Sequence, residues 1–413
     1  MSHTHPLLTT LFKTVGMLLY VPLMFSCLED DGDEVPETPI FGEGSFSTEE
    51  LNTLQQTLNL QATPFNYANV TLPEHYLETE ALEVDNTPAN NAIKDMGATL
   101  GRVLFYDKNL SANNTISCAS CHQQNAGFSD PDKLSRGLNG ETTRRNSMSL
   151  INSRFYEAER FLWDERAATL EEQVLLPIQD HIEMGMDLAE LEAKLQGLDY
   201  YPILFTHAFG TPEISSDRIA KSLSQFVRSI VSTDSKFDRA LKDAGVTFVD
   251  EDVPKLTLLS EQENLGREIF YNGYKGATCS YCHGGAMNVN DEAKNNGLDL
   301  VYSDNGKGEI TGRDSDMALF KVPALRNVAL TAPYMHDGRF ATLMEVVNHY
   351  SDNVQQHPNI NFRLTTLDVE DTHGPVMRLN LTRSEKEALV AFLHTLTDDT
   401  ITTEEKWSDP FKN

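Results

Sequence analysis

Cysteine is scarce in this chain of 413 residues: there are five, and four of them fall into two copies of one motif. No pair is left for a disulfide, which excludes a stapled secreted scaffold. Basic residues are few as well, 33 lysines and arginines against 62 aspartates and glutamates, a formal charge of −29. Such a surface repels nucleic acid and anionic membrane alike, and it favours solubility or a basic partner. Strand-like alternation is rare, which argues against a β-rich fold. Apolar runs are short too: the stretch from Val15 to Phe25 is interrupted by Gly16 and Pro22 and cannot cross a bilayer as a lasting anchor.

That short run has another use. Lys13, the apolar stretch and Ser26-Cys27 together resemble a bacterial lipoprotein signal, with residues 1–26 as the peptide removed and Cys27 as the lipidated residue. Met24-Phe25 is a poor version of the usual small residues before such a cysteine, so ordinary cleavage nearby is the alternative. Residues 27–45 read as an acidic tether, because Glu29 to Pro39 (EDDGDEVPETP) combines charge with proline. The expected location is the periplasm, with a lipid anchor. The mature chain would carry a formal −30, one lysine having left with the signal.

The four remaining cysteines stand in Cys118-x-x-Cys121-His122 and Cys279-x-x-Cys282-His283. Two thiols at this spacing add across the two vinyl groups of one porphyrin, and the histidine that follows lies under the iron as an axial ligand. A dithiol redox pair has no need of a histidine after each second cysteine. A structural zinc site wants its two halves roughly 15–20 residues apart, whereas here the histidines are 161 apart. Two covalently bound c-type haems are therefore expected, and covalent attachment of this kind agrees with export.

The repeat extends beyond the cysteines. Leu100-Gly101-Arg102-Val103-Leu104-Phe105-Tyr106 precedes the first motif and Leu265-Gly266-Arg267-Glu268-Ile269-Phe270-Tyr271 the second. The fold class expected is mainly α: two c-type cytochrome domains related by duplication, with long loops and an N-terminal extension. The extension covers 46–90, where Ser47 with Glu50 three residues on makes a capping box before Leu51, Leu54 and Leu58. The first haem domain covers 91–245, a linker 246–259, the second haem domain 260–400 and a C-terminal tail 401–413. Helical spacing also marks Thr169–Leu176, Leu188–Leu195, Asp217–Lys242 and Ser384–Leu396. Asn290–Ser315, rich in Gly, Asn and Asp, is expected to be a long loop.

After the first motif come Phe161-Leu162-Trp163-Asp164-Glu165-Arg166, then Gln173, Pro177, Glu183 and Met184. This closely resembles the F-x-W-D-x-R…Q…P…E-M signature of the bacterial di-haem cytochrome c peroxidases and their MauG-like relatives, and the resemblance spans about residues 91–396. It implies that Glu183 is the catalytic carboxylate over the first haem. A peroxide on iron must move a proton from its inner to its outer oxygen, and a carboxylate beside it can carry that proton. By the same resemblance Gln173 orients the peroxide and Trp163 relays an electron between the haems. Without the surrounding signature these would read as a solvated glutamate, a cap glutamine and a core tryptophan.

Two departures matter. The best-known peroxidases have a histidine 16 residues beyond the first haem histidine, in a Ser-x-Gly-His context; here the stretch is Ser135-Arg136-Gly137-Leu138. Leucine cannot bind iron, so the first haem is expected to keep an open position and need no reductive activation. For the second haem, Thr331 to Phe340 resembles the family's ligand loop, and the sixth ligand falls 14 residues after its histidine, at Tyr350. Methionine stands there in the peroxidases and tyrosine in MauG, and His349, His357, Met344 or no ligand are the alternatives. The resemblance also implies a calcium ion held by the Asn146 side chain and backbone oxygens of Thr331 and Pro333. His336 and Arg339 are expected to order the loop or bind haem propionates.

The reading that follows is a periplasmic di-haem peroxidase reducing hydrogen peroxide to water with electrons from a small cytochrome c or cupredoxin. A MauG-like enzyme oxidising residues of a partner protein is the first alternative, and a non-catalytic electron-transfer cytochrome the second. A homodimer is compatible with either enzyme.

Overall fold

The computed structural model describes residues 44–77, 82–156, 161–249, 253–276, 279–285, 292–366 and 374–412. The expected signal peptide, Cys27 and nearly all of the expected tether lie outside the described residues. The longer helices, in chain order, are α1 (Thr48–Leu54), α2 (Asp95–Tyr106), α3 (Leu188–Gln196), α4 (Tyr200–Phe209), α5 (Ser216–Ser229), α6 (Lys236–Asp243), α7 (Glu261–Tyr271), α8 (Leu343–Asn348) and α9 (Arg383–His394). Among the described residues β structure is confined to isolated bridges, so the mainly helical class holds.

Local chemistry sets the helix starts. Ser47, Ser235, Ser260, Thr342 and Thr382 each cap a helix and are answered by an acid three residues on, a capping box in every case. The stretch Asp217–Lys242 is broken where a single helix had been expected. Between α5 and α6 the buried Asp398 carboxylate accepts the backbone N–H of Thr233 and Asp234, 3.0 Å each, and Ser235 then starts a new helix. Thr169–Leu176 likewise divides into Leu170–Gln173 and a turn beginning at Leu176 with Pro177 in its first positions.

Two hydrophobic cores result. The first gathers Leu100, Val103, Leu104 and Phe105 of α2 with Leu223, Phe226 and Val227 of α5. It also takes in Phe46, Leu54 and Leu58 of the extension and Ile401 and Trp407 of the C-terminal segment. The second gathers Ile269, Phe270 and Tyr271 of α7 with Ala388, Leu389, Phe392 and Leu393 of α9, and adds Phe237, Ala240 and Leu241 of α6. The chain therefore crosses from one core to the other at the α5–α6 break.

The duplication is a matter of packing as well as of text. Gly101 lies so close to α5 that an added Cβ would sit 2.0 Å from the Ser222 carbonyl oxygen, and at Gly266 it would sit 1.9 Å from that of Ala388 on α9. Phe105 meets Phe226 at 5.2 Å and 55°, and Phe270 meets Phe392 at 5.3 Å and 54°. Each motif arginine is tied to a backbone carbonyl, Arg102 to Ser408 at 2.6 Å and Arg267 to Val253 at 2.7 Å. Glycine in the middle of a helix costs stability by itself; here it permits a close crossing that no side chain would allow.

Candidate active site

Each cysteine motif forms one helical turn, Cys118–Cys121 and Cys279–Cys282, and the histidine N–H closes it on the first cysteine's carbonyl at 2.9 Å. Cys118 packs on the first core and Cys279 on the second, so the four thiols do not converge. Among the described residues no three or more His, Cys, Asp or Glu come together in a group that could hold a metal ion.

The first motif fits a haem. His122 is placed by its Nδ1, 3.0 Å from the Phe128 carbonyl oxygen. A carbonyl can only accept, so Nδ1 carries the proton and Nε2 keeps its lone pair for an iron. Beside it opens a cavity of about 470 Å³ lined by His122, Trp163, Gln173, Pro177, Asp180 and Glu183 among others. The resemblance implied Glu183 and Gln173 over the first haem and Trp163 between the two haems; the structure lines one cavity beside His122 with all three.

The loop carrying Glu183 is built on Asp180. Its Oδ1 accepts the N–H of Ile182 at 2.8 Å and of Glu183 at 3.3 Å, and its carbonyl accepts those of Met184 and Gly185. Burial raises the Glu183 carboxyl to about 7; the charge of Asp180 adds to the rise, and Arg166 opposes it. Leu138 donates its N–H to the carbonyls of Ile182 and Glu183, 3.1 Å each, and its side chain lies beside Gly185 of the glutamate's loop, 3.3 Å from where a Cβ there would stand. His181, two positions before Glu183, is exposed and does not line the cavity.

Trp163 stands on the border of the two haem domains. Its Nε1 donates to the Asn146 carbonyl at 2.8 Å, and its ring packs with Leu298, Tyr302, Ala318 and Phe320 and lies 6.4 Å from His336. His336 is stacked on Phe320 at 3.8 Å and 13°, and burial lowers its pKa to about 4, so the ring is neutral. Arg339 pairs with Asp299 at 2.6 Å and Asp337 at 2.8 Å, which ties its loop to residue 299.

The second motif faces a different surrounding. α8 ends in a widened turn, His349–Asn353, that presents Tyr350. Burial pushes the Tyr350 phenol well up, the nearby Cys282 and Cys279 push it further, and a hydrogen bond with Asn296 opposes them, so the residue lies beside the second motif. Two of the alternatives have other partners: His349 Nε2 donates to the Asn296 carbonyl at 3.0 Å, and His357 Nδ1 lies 3.0 Å from the Asn359 N–H.

For the calcium residues, the Asn146 N–H donates to the His336 carbonyl at 2.8 Å, which brings it against the loop of Thr331 and Pro333. Its Nδ2 donates to the carbonyls of Asp132 at 3.3 Å and Lys133 at 3.2 Å, and Thr331 Oγ1 donates to Val328.

Sequence reading missed several cavity residues. Lys321 is buried with its ammonium 3.8 Å from the centre of the Tyr156 ring, and Glu309 and Ile310 reach the first cavity from the second domain's loop. Asp180 could have been suspected from its place three residues before Glu183. The others lie more than a hundred residues away and carry no local signal.

Comparison with known proteins agrees with this geometry. A family model for di-haem cytochrome c peroxidase matches residues 95–245. The methylamine utilization protein MauG of Methylophilus methylotrophus is 33% identical over 311 residues, 75% of this chain and 84% of that protein. The cytochrome c551 peroxidase of Nitrosomonas europaea is 32% identical over 318 residues, 76% and 82%. Among solved structures, a MauG-like protein associated with microbial copper homeostasis matches at 32% identity with a TM-score of 0.67, covering 84% of this chain and 98% of that one. The di-haem peroxidase BthA of Burkholderia thailandensis shares the fold at 22% identity and a TM-score of 0.59. The chain thus belongs to the di-haem cytochrome c peroxidase and MauG family, whose two c-type haems match its two cysteine motifs.

Proposed function

We propose that the protein reduces hydrogen peroxide to two molecules of water, taking two electrons and two protons per turnover. The haems would be held by Cys118, Cys121 and His122 in the first domain and by Cys279, Cys282 and His283 in the second. When bound, they supply redox-active iron, one to receive peroxide and the other to pass electrons. What the chain adds at the first site is a place for the proton. Glu183 is a carboxyl raised to about 7, so at neutral pH it can take a proton from the inner oxygen and return it to the outer one. Gln173 supplies the hydrogen bond that fixes the peroxide's orientation, and Leu138 leaves its access uncapped.

The observation that carries this reading is the meeting of Glu183, Gln173 and Trp163 with His122 in one cavity. A pure electron carrier has no use for a buried acid there. The test is to mix the oxidised protein with one equivalent of peroxide and follow its consumption with and without reduced cytochrome c. No consumption by the parent protein would end the proposal.

Trp163 would relay electrons between the domains, and a small cytochrome c or cupredoxin would deliver them near the second haem. Tyr350 is our choice for that haem's distal ligand; its phenol, pushed up by burial, would give up its proton only to a metal's charge. A calcium ion would be held by the Asn146 side chain and the carbonyls of Thr331 and Pro333. A lipid on Cys27 would keep the enzyme in the periplasm, and no described helix is long and apolar enough to cross a membrane.

Oxidation of residues on a partner protein is the second reading, favoured by Tyr350 and Leu138 and by the MauG relatives. Peroxide consumption that is slow with every small donor and fast with one protein partner would select it.

A further inference from the structure

Trp163 sits in a tight turn closed by the bridge between Phe161 and Ala167, with a hydrogen bond of 2.8 Å from the Phe161 N–H to the Ala167 carbonyl. Two residues of this turn that are not glycine adopt left-handed backbone, Leu162 at φ +73° and Glu165 at φ +55°. L-residues enter that region at a cost, and such conformations persist only where the surroundings hold them.

The surroundings here come from the second domain. The Glu165 side chain is 1% exposed, and its Oε2 accepts from Lys307 Nζ at 2.6 Å. Next to it Asp164 is bound by Arg145, whose guanidinium also grips both carboxylate oxygens of Asp304 at 2.7 and 2.8 Å. The Trp163 carbonyl accepts the Lys321 N–H at 2.8 Å. Three links therefore join the tryptophan's turn to residues 304–321 across the domain border. Of these only the Glu165–Lys307 pair needs a side chain at a backbone position where glycine would be unstrained.

From this we infer that Glu165 and Lys307 form a positioning pair for Trp163, holding the indole's turn against the second domain so that charge passes between the domains in one fixed geometry. The inference rests on the relay role proposed for Trp163. A glutamate kept in strained backbone, buried and answered by a cation from the other domain, is retained for its reach. A merely structural turn would be better served by glycine.

The test uses the holoenzyme and the variants Glu165→Gly, Lys307→Met, Lys307→Arg and Trp163→Phe. Glu165→Gly relieves the backbone strain while giving up the ion pair, so the two effects offset and its melting temperature should stay close to that of the parent. Its kcat with reduced cytochrome c should nevertheless fall on the order of ten-fold, because small displacements of a reacting group are costly. KM for peroxide should not move. Lys307→Met should lower kcat alike, and because it leaves the buried Glu165 carboxylate without its cation it should also lower the melting temperature, so its rate is compared with that of Glu165→Gly. Lys307→Arg should retain most of the rate, and a crystal structure of Glu165→Gly should show a displaced indole. Parent-like kcat in Glu165→Gly and Lys307→Met beside a slow Trp163→Phe would overturn the pair alone. A loss of rate that only tracks a lowered melting temperature would overturn it too. Parent-like kcat in Trp163→Phe would instead remove the relay role beneath it.

Discussion

The two haem domains share a scaffold and differ in what is hung on it. In both, a glycine lets two long helices cross at contact distance, a phenylalanine pair packs at nearly the same spacing and tilt, and a buried arginine reaches a distant carbonyl. Beyond the scaffold the similarity stops. The first domain surrounds His122 with Glu183, Gln173 and an open cavity, while the second brings Tyr350 to its cysteines on a widened helical turn. The scaffold thus answers for holding a porphyrin. The loops between its helices answer for what the iron is allowed to do, which is why one duplication can yield two unlike sites.

The sharpest way to break this comparison is to remove the acid found on one side alone. Glu183→Gln keeps size and polarity but cannot accept a proton, so peroxide turnover should fall about 10²–10⁴-fold. The oxidised protein's spectrum at the second haem should stay as it was. A variant retaining parent-like turnover would show that the cavity is not the reacting site.

The scaffold itself is tested by Gly101→Ala and Gly266→Ala. With a Cβ at 2.0 and 1.9 Å from a backbone oxygen, each should destabilise its own domain, by about 1–3 kcal/mol for overpacking of this kind. Chemical denaturation followed at the two haem absorptions checks it. Markedly unequal losses would mean that the domains do not share one packing solution.

These glycines also show what could be read in the sequence. The paired L-G-R-x-x-F-Y segments were legible as a duplication, because periodic apolar residues and repeated text report local packing. Why glycine recurs was not legible, since its neighbours, Ser222 and Ala388, are over a hundred residues away. The residues proposed as catalytic were legible only through resemblance: Glu183 in isolation is an ordinary glutamate, and burial is a property of the fold. The break between α5 and α6 was hidden for the same reason. It depends on Asp398, some 165 residues downstream, whose carboxylate satisfies the backbone there.

A gentler probe acts on the second site. Tyr350→Phe removes only an oxygen from a buried ring, so the fold and the peroxide reaction at the first haem should persist. The second haem's absorption and EPR signals should change, and its potential should rise once an anionic ligand is lost. An unchanged spectrum would return the ligand position to Met344 or to no residue.

The smallest effect expected is on stability against pH, where one buried group from each side of the border opposes the other. Glu183 is held to about 7 against an ordinary 4.5, so between those values the folded protein binds more protons than the unfolded chain, and its stability falls as pH rises. His336 is lowered to about 4 against an ordinary 6.5, so between those values the unfolded chain binds more protons, and stability rises with pH. Where the windows overlap the two slopes offset each other. Glu183→Gln removes the falling slope and leaves the rising one, so the variant's melting temperature should climb more steeply than the parent's from about pH 4.5 to 6.5. Parallel profiles would mean that Glu183 is not the buried acid the cavity makes it.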